Sequence, residues 1–238
     1  MQWTDEGVVL SAKPHGETSA VVTLLTPSHG RHAGLVRGGR GRRAHGIYQP
    51  GNRITATWRG RLAEHLGTYS CELIQSHAAQ LFDDFPRLAA LSSAASLCEL
   101  VLPEREPHPG CYEGSLALLH ALGRDHWAEA YVRWEVALLA ELGFGLDLTR
   151  CAVGGDSDDL AYVSPRSGRA VSRAAGRPYR EKLLPLPGFL VRRGEGGAGE
   201  VGAGLRLTGY FLERHVLLPH GRRLPAARTR LVERFPAE

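Results

Sequence analysis

The clearest chemical signal in the sequence is a tract of arginines without acidic neighbours. The chain has no Asp or Glu between Glu17 and Glu64, and eight arginines lie between Arg31 and Arg61. A guanidinium binds phosphate through parallel hydrogen bonds, and a row of such cations releases counterions from a polyanion. Because this tract cannot neutralise itself locally, it indicates binding to nucleic-acid phosphates.

We expect nine side chains of this region to bind nucleic acid, eight through phosphates and Tyr48 as a candidate for stacking on a base. An alternative explanation is a genome that prefers Arg to Lys, since Lys13 and Lys182 are the only lysines. That bias explains the choice of cation but not the missing acids. The expected DNA-binding residues are Arg31, Arg37, Arg40, Arg42, Arg43, Tyr48, Arg53, Arg59 and Arg61.

No sequence motif of catalysis accompanies the tract. The chain contains no G-x-S-x-G elbow, no phosphate-binding P-loop and no H-E-x-x-H helix. The acidic run 156–159 is expected to be a solvated turn rather than a cation site. Cys71, Cys98, Cys111 and Cys151 form no C-x-x-C pair, which argues against zinc and against disulfides. We therefore expect no catalytic residue, no metal and no cofactor.

Charge and composition divide the chain into three regions. Residues 1–80 carry nine Lys or Arg and five acids, residues 81–148 four and eleven, and residues 149–238 sixteen and nine. Hydrophobic residues make up 43% of the chain and charged residues 23%, as in ordinary globular proteins. No apolar run approaches the roughly 18 residues of a membrane helix, and no signal peptide is visible. We expect a cytoplasmic, nucleoid-associated protein without a membrane partner.

The first region has the pattern of a small β-barrel. Five short apolar and β-branched runs, separated by Gly and Pro turns, predict five strands at residues 7–12, 19–26, 31–37, 53–58 and 67–74. Five strands in about 75 residues fit an OB-fold, a five-stranded Greek-key barrel. An SH3-like barrel fits the same pattern. The predicted domain spans residues 1–80.

The remaining chain is predicted to be mainly helical. Trp127, Tyr131, Trp134, Leu138 and Leu142 form a helical stripe that is expected in the core. The predicted helical domain has a first part at 81–148 and C-terminal helices at 204–238. Between them, residues 149–203 form an insertion with a hairpin at 160–172 and a Gly-rich loop at 194–199. The last helix, 225–235, is expected to turn its arginines outward.

Several collinear segments resemble the RecO family of recombination mediators. They cover nearly the whole chain in order and include Trp3 to Leu10, Gly16 to Ser19, Gly30 to Gly38, Arg133 to Leu139, Gly143 to Leu148, Arg150 to Gly155, Phe211 to His215 and Leu224 to Arg228. The resemblance implies an α+β protein in which an N-terminal OB-fold barrel precedes a helical domain with a small zinc-ribbon-like insertion.

The resemblance also implies a function and partners. Relatives of this kind bind single- and double-stranded DNA, anneal complementary strands and help the RecA recombinase to displace single-strand-binding protein (SSB). The implied partners are RecR and the C-terminal tail of SSB. Zinc-bearing relatives have two C-x-x-C pairs in the insertion, whereas Cys151, Gly154, Ser172 and Ala175 stand at those positions here. We therefore expect a ribbon without metal.

The SSB tail is acidic and ends in an apolar residue with a free carboxylate, so it needs an apolar site beside a cation. Arg133, with Leu88 and Leu91 as apolar neighbours, is the expected site. Alternatively, Arg133 pairs with Glu129 or Glu141 on a solvated helix face. Two competing functions also remain at this point: a metal-dependent enzyme of nucleic-acid metabolism, and an RNA-binding OB-fold module.

Overall fold

The computed structural model describes residues 1–154, 159–192 and 196–235, and of Arg43 only the main chain. The chain divides into two compact units, Met1–Gly123 and Arg124–Glu238. Most of the acidic run 156–159, and the first residues of the predicted Gly-rich loop, lie outside the described residues. Within the described part, no helix is both long and apolar enough to cross a bilayer.

The first unit is built around a closed five-stranded barrel with the strand order β1-β2-β3-β5-β4. One short helix lies between β3 and β4. This arrangement is that of the OB-fold, which decides between the two barrels left open by the sequence. The elements are β1 (Gln2–His15), β2 (Ser19–Thr26), β3 (Gly30–Val36), α1 (Arg42–Ile47), β4 (Arg53–Arg59), β5 (Thr68–Gln75), α2 (His77–Gln80), α3 (Phe85–Val101) and α4 (Pro109–Ala121).

The barrel interior follows from strict alternation along the strands. In β3 and β4 every second residue is buried, as a half-buried strand requires. Trp58 and Tyr69 fill the interior, and the Tyr69 hydroxyl lies 2.8 Å from Nδ1 of His32. Burial, together with the charges of Arg105 and His29, lowers the pKa of His32 to about 4. His32 is therefore a neutral core residue.

Helices α3 and α4 contact the barrel at β1 and belong to the same compact unit. The Asp84 carboxylate caps α3 by accepting a hydrogen bond from the main-chain N–H of Arg87 at 3.1 Å. Farther along α3, Glu99 accepts hydrogen bonds from Ser11 Oγ and Lys13 Nζ of β1, both at 2.7 Å. The compact first unit thus extends beyond the barrel domain that the sequence predicts at 1–80.

The second unit combines helices with a three-stranded sheet of order β7-β6-β8. Strands β6 and β7 pair antiparallel, which confirms the predicted hairpin. The elements are α5 (Trp127–Glu141), β6 (Leu160–Val163), β7 (Ala170–Ser172), α6 (Arg173–Gly176), β8 (Leu184–Pro185), α7 (Ala198–Phe211) and α8 (Ala226–Val232), with a π-helical segment at Leu212–Leu217 and 3₁₀ turns at Arg177–Lys182, Gly188–Leu190 and Leu218–His220.

A buried ion pair joins the helices of this unit. Glu135 of α5 is fully buried, and Arg228 of α8 is 3% exposed. Arg228 Nε donates to Glu135 Oε1 at 2.9 Å and Nη2 to Oε2 at 3.0 Å, while the hydroxyls of Tyr131 and Thr208 donate to the same carboxylate. A Cβ at Gly209 would lie 2.8 Å from Arg228 Nη1, so glycine makes room for the guanidinium. The expectation that the arginines of the last helix point outward is wrong for Arg228.

We predict that Arg228→Ala lowers the free energy of unfolding by about 3–5 kcal/mol, because it leaves the Glu135 carboxylate buried without its cation. Denaturant unfolding followed by circular dichroism measures this loss. Arg230→Ala is the matched control, since Arg230 is exposed on the same helix, and it should change stability by less than about 0.5 kcal/mol. Equal, small effects of both variants would show that the ion pair does not hold the helices together.

Candidate nucleic-acid interface

Barrel closure brings the end of β3 next to the loop that precedes β5. The N–H of Leu35 donates to the carbonyl oxygen of Gly67 at 3.1 Å, and Leu35 pairs with Thr68. Thr68 in turn pairs with Arg59 at the end of β4. Arg37 follows Leu35 by two residues, and Arg61 follows Arg59 by two. The closure therefore brings β3, at Leu35, into contact with the loop that joins β4 to β5.

Arg40 connects the loop that follows β3 to another loop of the barrel. Its main-chain N–H donates to the Thr18 carbonyl oxygen at 3.1 Å, and its Nη1 lies 3.0 Å from the carbonyl oxygens of Gly16 and Glu17. These bonds fix the loop after β3 against the turn between β1 and β2. Arg40 was predicted to bind phosphate, and the structure gives its guanidinium a positioning contact as well.

The other arginines of the loops after β3 and β4, and Arg59 at the end of β4, are exposed. In the described part of the chain, Arg37, Arg42 and Arg61 have no hydrogen-bond or ion-pair partner, and Arg59 donates to the side chain of Gln2 at 3.0 Å. The main chain of Arg43 lies in the same loop and helix as Arg42. We define the loop-end surface as Arg37, Arg40, Arg42, Arg59 and Arg61. Unpaired guanidinium groups of this kind are available to bind an external anion.

Arg31 and Arg53 belong to another part of the barrel and are engaged there. Arg31 Nε donates to the Leu102 carbonyl oxygen at 2.7 Å, and Nη1 lies 3.3 Å from Glu104 Oε1. Arg53 forms an ion pair with Glu6. Glu104 and Glu6 both lie outside the acid-free stretch of the sequence. The order of residues along the chain therefore gave no sign of these two ion pairs. The structure brings neither arginine to the loop-end surface.

Tyr48 does not fit the stacking role expected for it. Its ring is 7% exposed and packs in the barrel core. Burial, followed by the neighbouring thiol of Cys71, raises the pKa of Tyr48. This packing does not favour stacking on a base, although Tyr48 also lines a cavity of about 700 Å³ in the first unit, and the stacking role stays a prediction.

The residues predicted to bind the SSB tail are divided between the two units. Leu88 and Leu91 lie on α3 and line a cavity of about 700 Å³ in the first unit. Arg133 lies on α5 of the second unit, where Nη2 donates to the Phe189 carbonyl oxygen at 3.0 Å and the guanidinium covers the Phe189 ring. In the described contacts, Phe189 rather than Glu129 or Glu141 is the partner of Arg133.

Among the described residues of the ribbon-like insertion, the surroundings of Cys151 do not have the donor set of a zinc site. The thiol of Cys151 is 3.6 Å from the Ser172 hydroxyl and accepts a hydrogen bond from the Ser172 N–H at 3.3 Å. That hydroxyl accepts the N–H of Ala175 at 3.4 Å, capping α6. One thiol, one hydroxyl and inward-pointing N–H groups do not make the four-ligand shell of structural zinc. Among the described residues, no group of three or more metal-binding side chains was found.

The fold and its surface define a class: an OB-fold barrel protein with a basic loop end, followed by a helical unit with a ribbon-like insertion. Comparison with protein families is more specific. Residues 1–77 match the family described as Recombination protein O N terminal, and residues 83–224 match the one described as Recombination protein O C terminal. The chain therefore belongs to the RecO family of DNA repair and recombination proteins.

Individual relatives match along nearly their whole length. The DNA repair protein RecO of Rhodospirillum centenum is 57% identical over 237 residues, which is 99% of this chain and 95% of the relative. The protein of the same description from Rhodospirillum rubrum is 55% identical over 99% of this chain and 96% of its own. That of Cereibacter sphaeroides is 50% identical over 98% of both chains.

We predict that replacing Arg37, Arg42 and Arg61 together with Ala weakens binding to single-stranded DNA. Loss of three phosphate contacts should reduce the slope of log K against log salt by about 2. Fluorescence anisotropy at several salt concentrations measures this slope. The matched control replaces three exposed arginines of the second unit, Arg206, Arg230 and Arg234. An equal change in both triple variants would mean that net charge, not this surface, governs binding.

We also predict that the protein binds less than one zinc ion per chain and that a chelator leaves its melting temperature unchanged. Ser172→Ala should instead lower stability by about 1 kcal/mol, because α6 loses its N-terminal cap. Elemental analysis and thermal unfolding measure these quantities. Stoichiometric, tightly held zinc would show that the hydrogen-bonded arrangement around Cys151 is not the native one.

Proposed function

We propose that this protein is a DNA-binding recombination mediator without catalytic turnover. It anneals complementary strands and helps RecA to load onto single-stranded DNA coated with SSB. The observation that carries the proposal is the loop-end surface of an OB-fold barrel, on which Arg37, Arg42 and Arg61 are exposed and have no side-chain partner among the described residues. OB-folds bind oligonucleotides with the loops between strands 1 and 2 and between strands 4 and 5. Membership of a family of DNA repair proteins supports the same function.

Annealing follows from the chemistry of such a surface. Two complementary strands repel each other through their phosphates, and guanidinium groups that neutralise these phosphates reduce the repulsion. Contacts to phosphates carry no sequence information and leave the base edges free to pair. A surface of exposed arginines can therefore hold a strand while a second strand pairs with it. Single- and double-stranded DNA are both ligands in this proposal.

The proposed protein partners are RecR and the C-terminal tail of SSB. For the tail, Arg133 offers a cation whose orientation is fixed by its bond to the Phe189 carbonyl oxygen. Leu88 and Leu91 offer apolar contacts in a separate cavity. A metal-dependent enzyme of nucleic-acid metabolism and an RNA-binding module are the competing functions, and they differ in metal requirement and in recognition of the 2′-hydroxyl.

The proposal predicts that the protein accelerates annealing of complementary DNA strands in the presence of a chelator, both naked and coated with SSB. A fluorescence-quenching assay with labelled strands measures the rate. Arg133→Ala should slow annealing on SSB-coated strands and leave naked strands unaffected, because it removes a charge-assisted contact to the tail and none to DNA. The Arg37, Arg42 and Arg61 triple variant should slow both.

Each contrary result points to one part of the proposal. Strand cleavage that requires Mg²⁺ would favour the enzyme. Preference for RNA strands over DNA strands of the same sequence would favour the RNA-binding module. Wild-type annealing by Arg133→Ala on SSB-coated strands would remove Arg133 from the tail site.

A further inference from the structure

The second unit contains a stack of three aromatic rings that is exposed at one edge. The rings of Phe211 and His215 are stacked, with centroids 5.7 Å apart and planes inclined by 15°. The ring of Phe144 lies 5.8 Å from that of His215 at 32°. Phe211 is buried, but Phe144 is 39% exposed. We call these three residues the aromatic step. Part of the Phe144 ring at the edge of this stack is therefore open to a ligand.

Two departures from regular helix build the aromatic step. Helix α5 ends at Glu141; Gly143, two residues later, is in the left-handed region (φ +84°), and the N–H of Phe144 donates to the Leu139 carbonyl oxygen at 2.8 Å. This turn directs Phe144 away from the helix. After α7, the chain continues as the π-helical segment Leu212–Leu217, which contains His215. Wide turns of this type are rare and are frequently found at functional sites.

A cavity of about 210 Å³ lies against the aromatic step. Its opposite wall is the turn of the β6–β7 hairpin, with Arg166, Ser167 and Gly168. Arg166 is exposed, and in the described part of the chain it has no hydrogen-bond or ion-pair partner. The residues lining the cavity include no Asp or Glu. The cavity therefore offers a π face on one side and a cation with a hydroxyl on the other.

We propose that this cavity binds one unpaired base of a DNA strand, which stacks on Phe144 and His215 while Arg166 binds the adjacent phosphate. The inference rests on the proposed DNA binding and adds a second contact, in a different unit from the loop-end surface. The pairing of a planar apolar face with a guanidinium matches a nucleotide, which has a planar base beside an anion. A purely apolar peptide side chain would leave Arg166 without a role.

The experiment compares a labelled single strand with a strand of the same length that has abasic sites. Phe144→Leu should weaken binding to the normal strand roughly five- to tenfold, since stacking on one aromatic ring is lost. The salt slope should not change, because no phosphate contact is removed. Affinity for the abasic strand should stay at the wild-type value. Phe144→Tyr keeps the ring and should retain wild-type affinity for both strands.

Arg166→Ala should instead reduce the salt slope by about 0.7, as expected for one phosphate contact of a single strand. Tyr179→Leu is the control, because Tyr179 is an exposed aromatic residue of the same unit outside the aromatic step. Thermal unfolding verifies that each variant is folded.

Wild-type affinity of folded Phe144→Leu for the normal strand, or an equal loss on both strands, would overturn this site and leave the proposed function intact. Failure of the wild-type protein to bind either strand would overturn the proposed function and this site with it.

Discussion

Closure of the barrel between β3 and β5 is the constraint on which the candidate interface depends. The two strands are joined at Leu35, and the approach is close because residue 34 is glycine: a Cβ there would lie 2.4 Å from Cδ2 of Tyr69. Closure fixes the end of β3 against the 60–67 loop, where the N–H of Leu35 donates to the Gly67 carbonyl oxygen. Gly34 permits this closure although it contributes no charge itself.

The same closure sorts the arginines of one linear tract into two groups. Alternating apolar residues and the absence of acids were enough to predict a small basic β-barrel, but they did not distinguish an OB-fold from an SH3-like barrel. They were not enough to separate Arg31 and Arg53 from the exposed arginines. Their partners Glu104 and Glu6 come from distant positions, and the pairs form only when the barrel register is set. The spacing of charges along a chain therefore predicts that a surface is basic, but it does not predict which arginines form that surface.

The sequence alone did not predict which polar side chains are buried. Tyr48 has an aromatic ring that could stack on a base, but its side chain packs in the core of the barrel. Arg228 lies on a helix rich in exposed arginines, and it turns inward because Glu135 supplies a carboxylate and Gly209 supplies space. Such burial depends on partners from other helices, so helical periodicity alone gives no sign of it.

The ribbon-like hairpin and the aromatic step depend on the same main-chain hydrogen bonds. The N–H of Asp147 donates to the Gly168 carbonyl oxygen at 3.0 Å, and the N–H of Ala170 donates to the Asp147 carbonyl oxygen at 2.8 Å. These bonds tie the β6–β7 hairpin to the segment that follows Phe144, so the turn with Arg166 is held opposite the ring. The hydrogen bonds around Ser172 hold the other end of the same hairpin, so its turn and its base are fixed by separate sets of bonds.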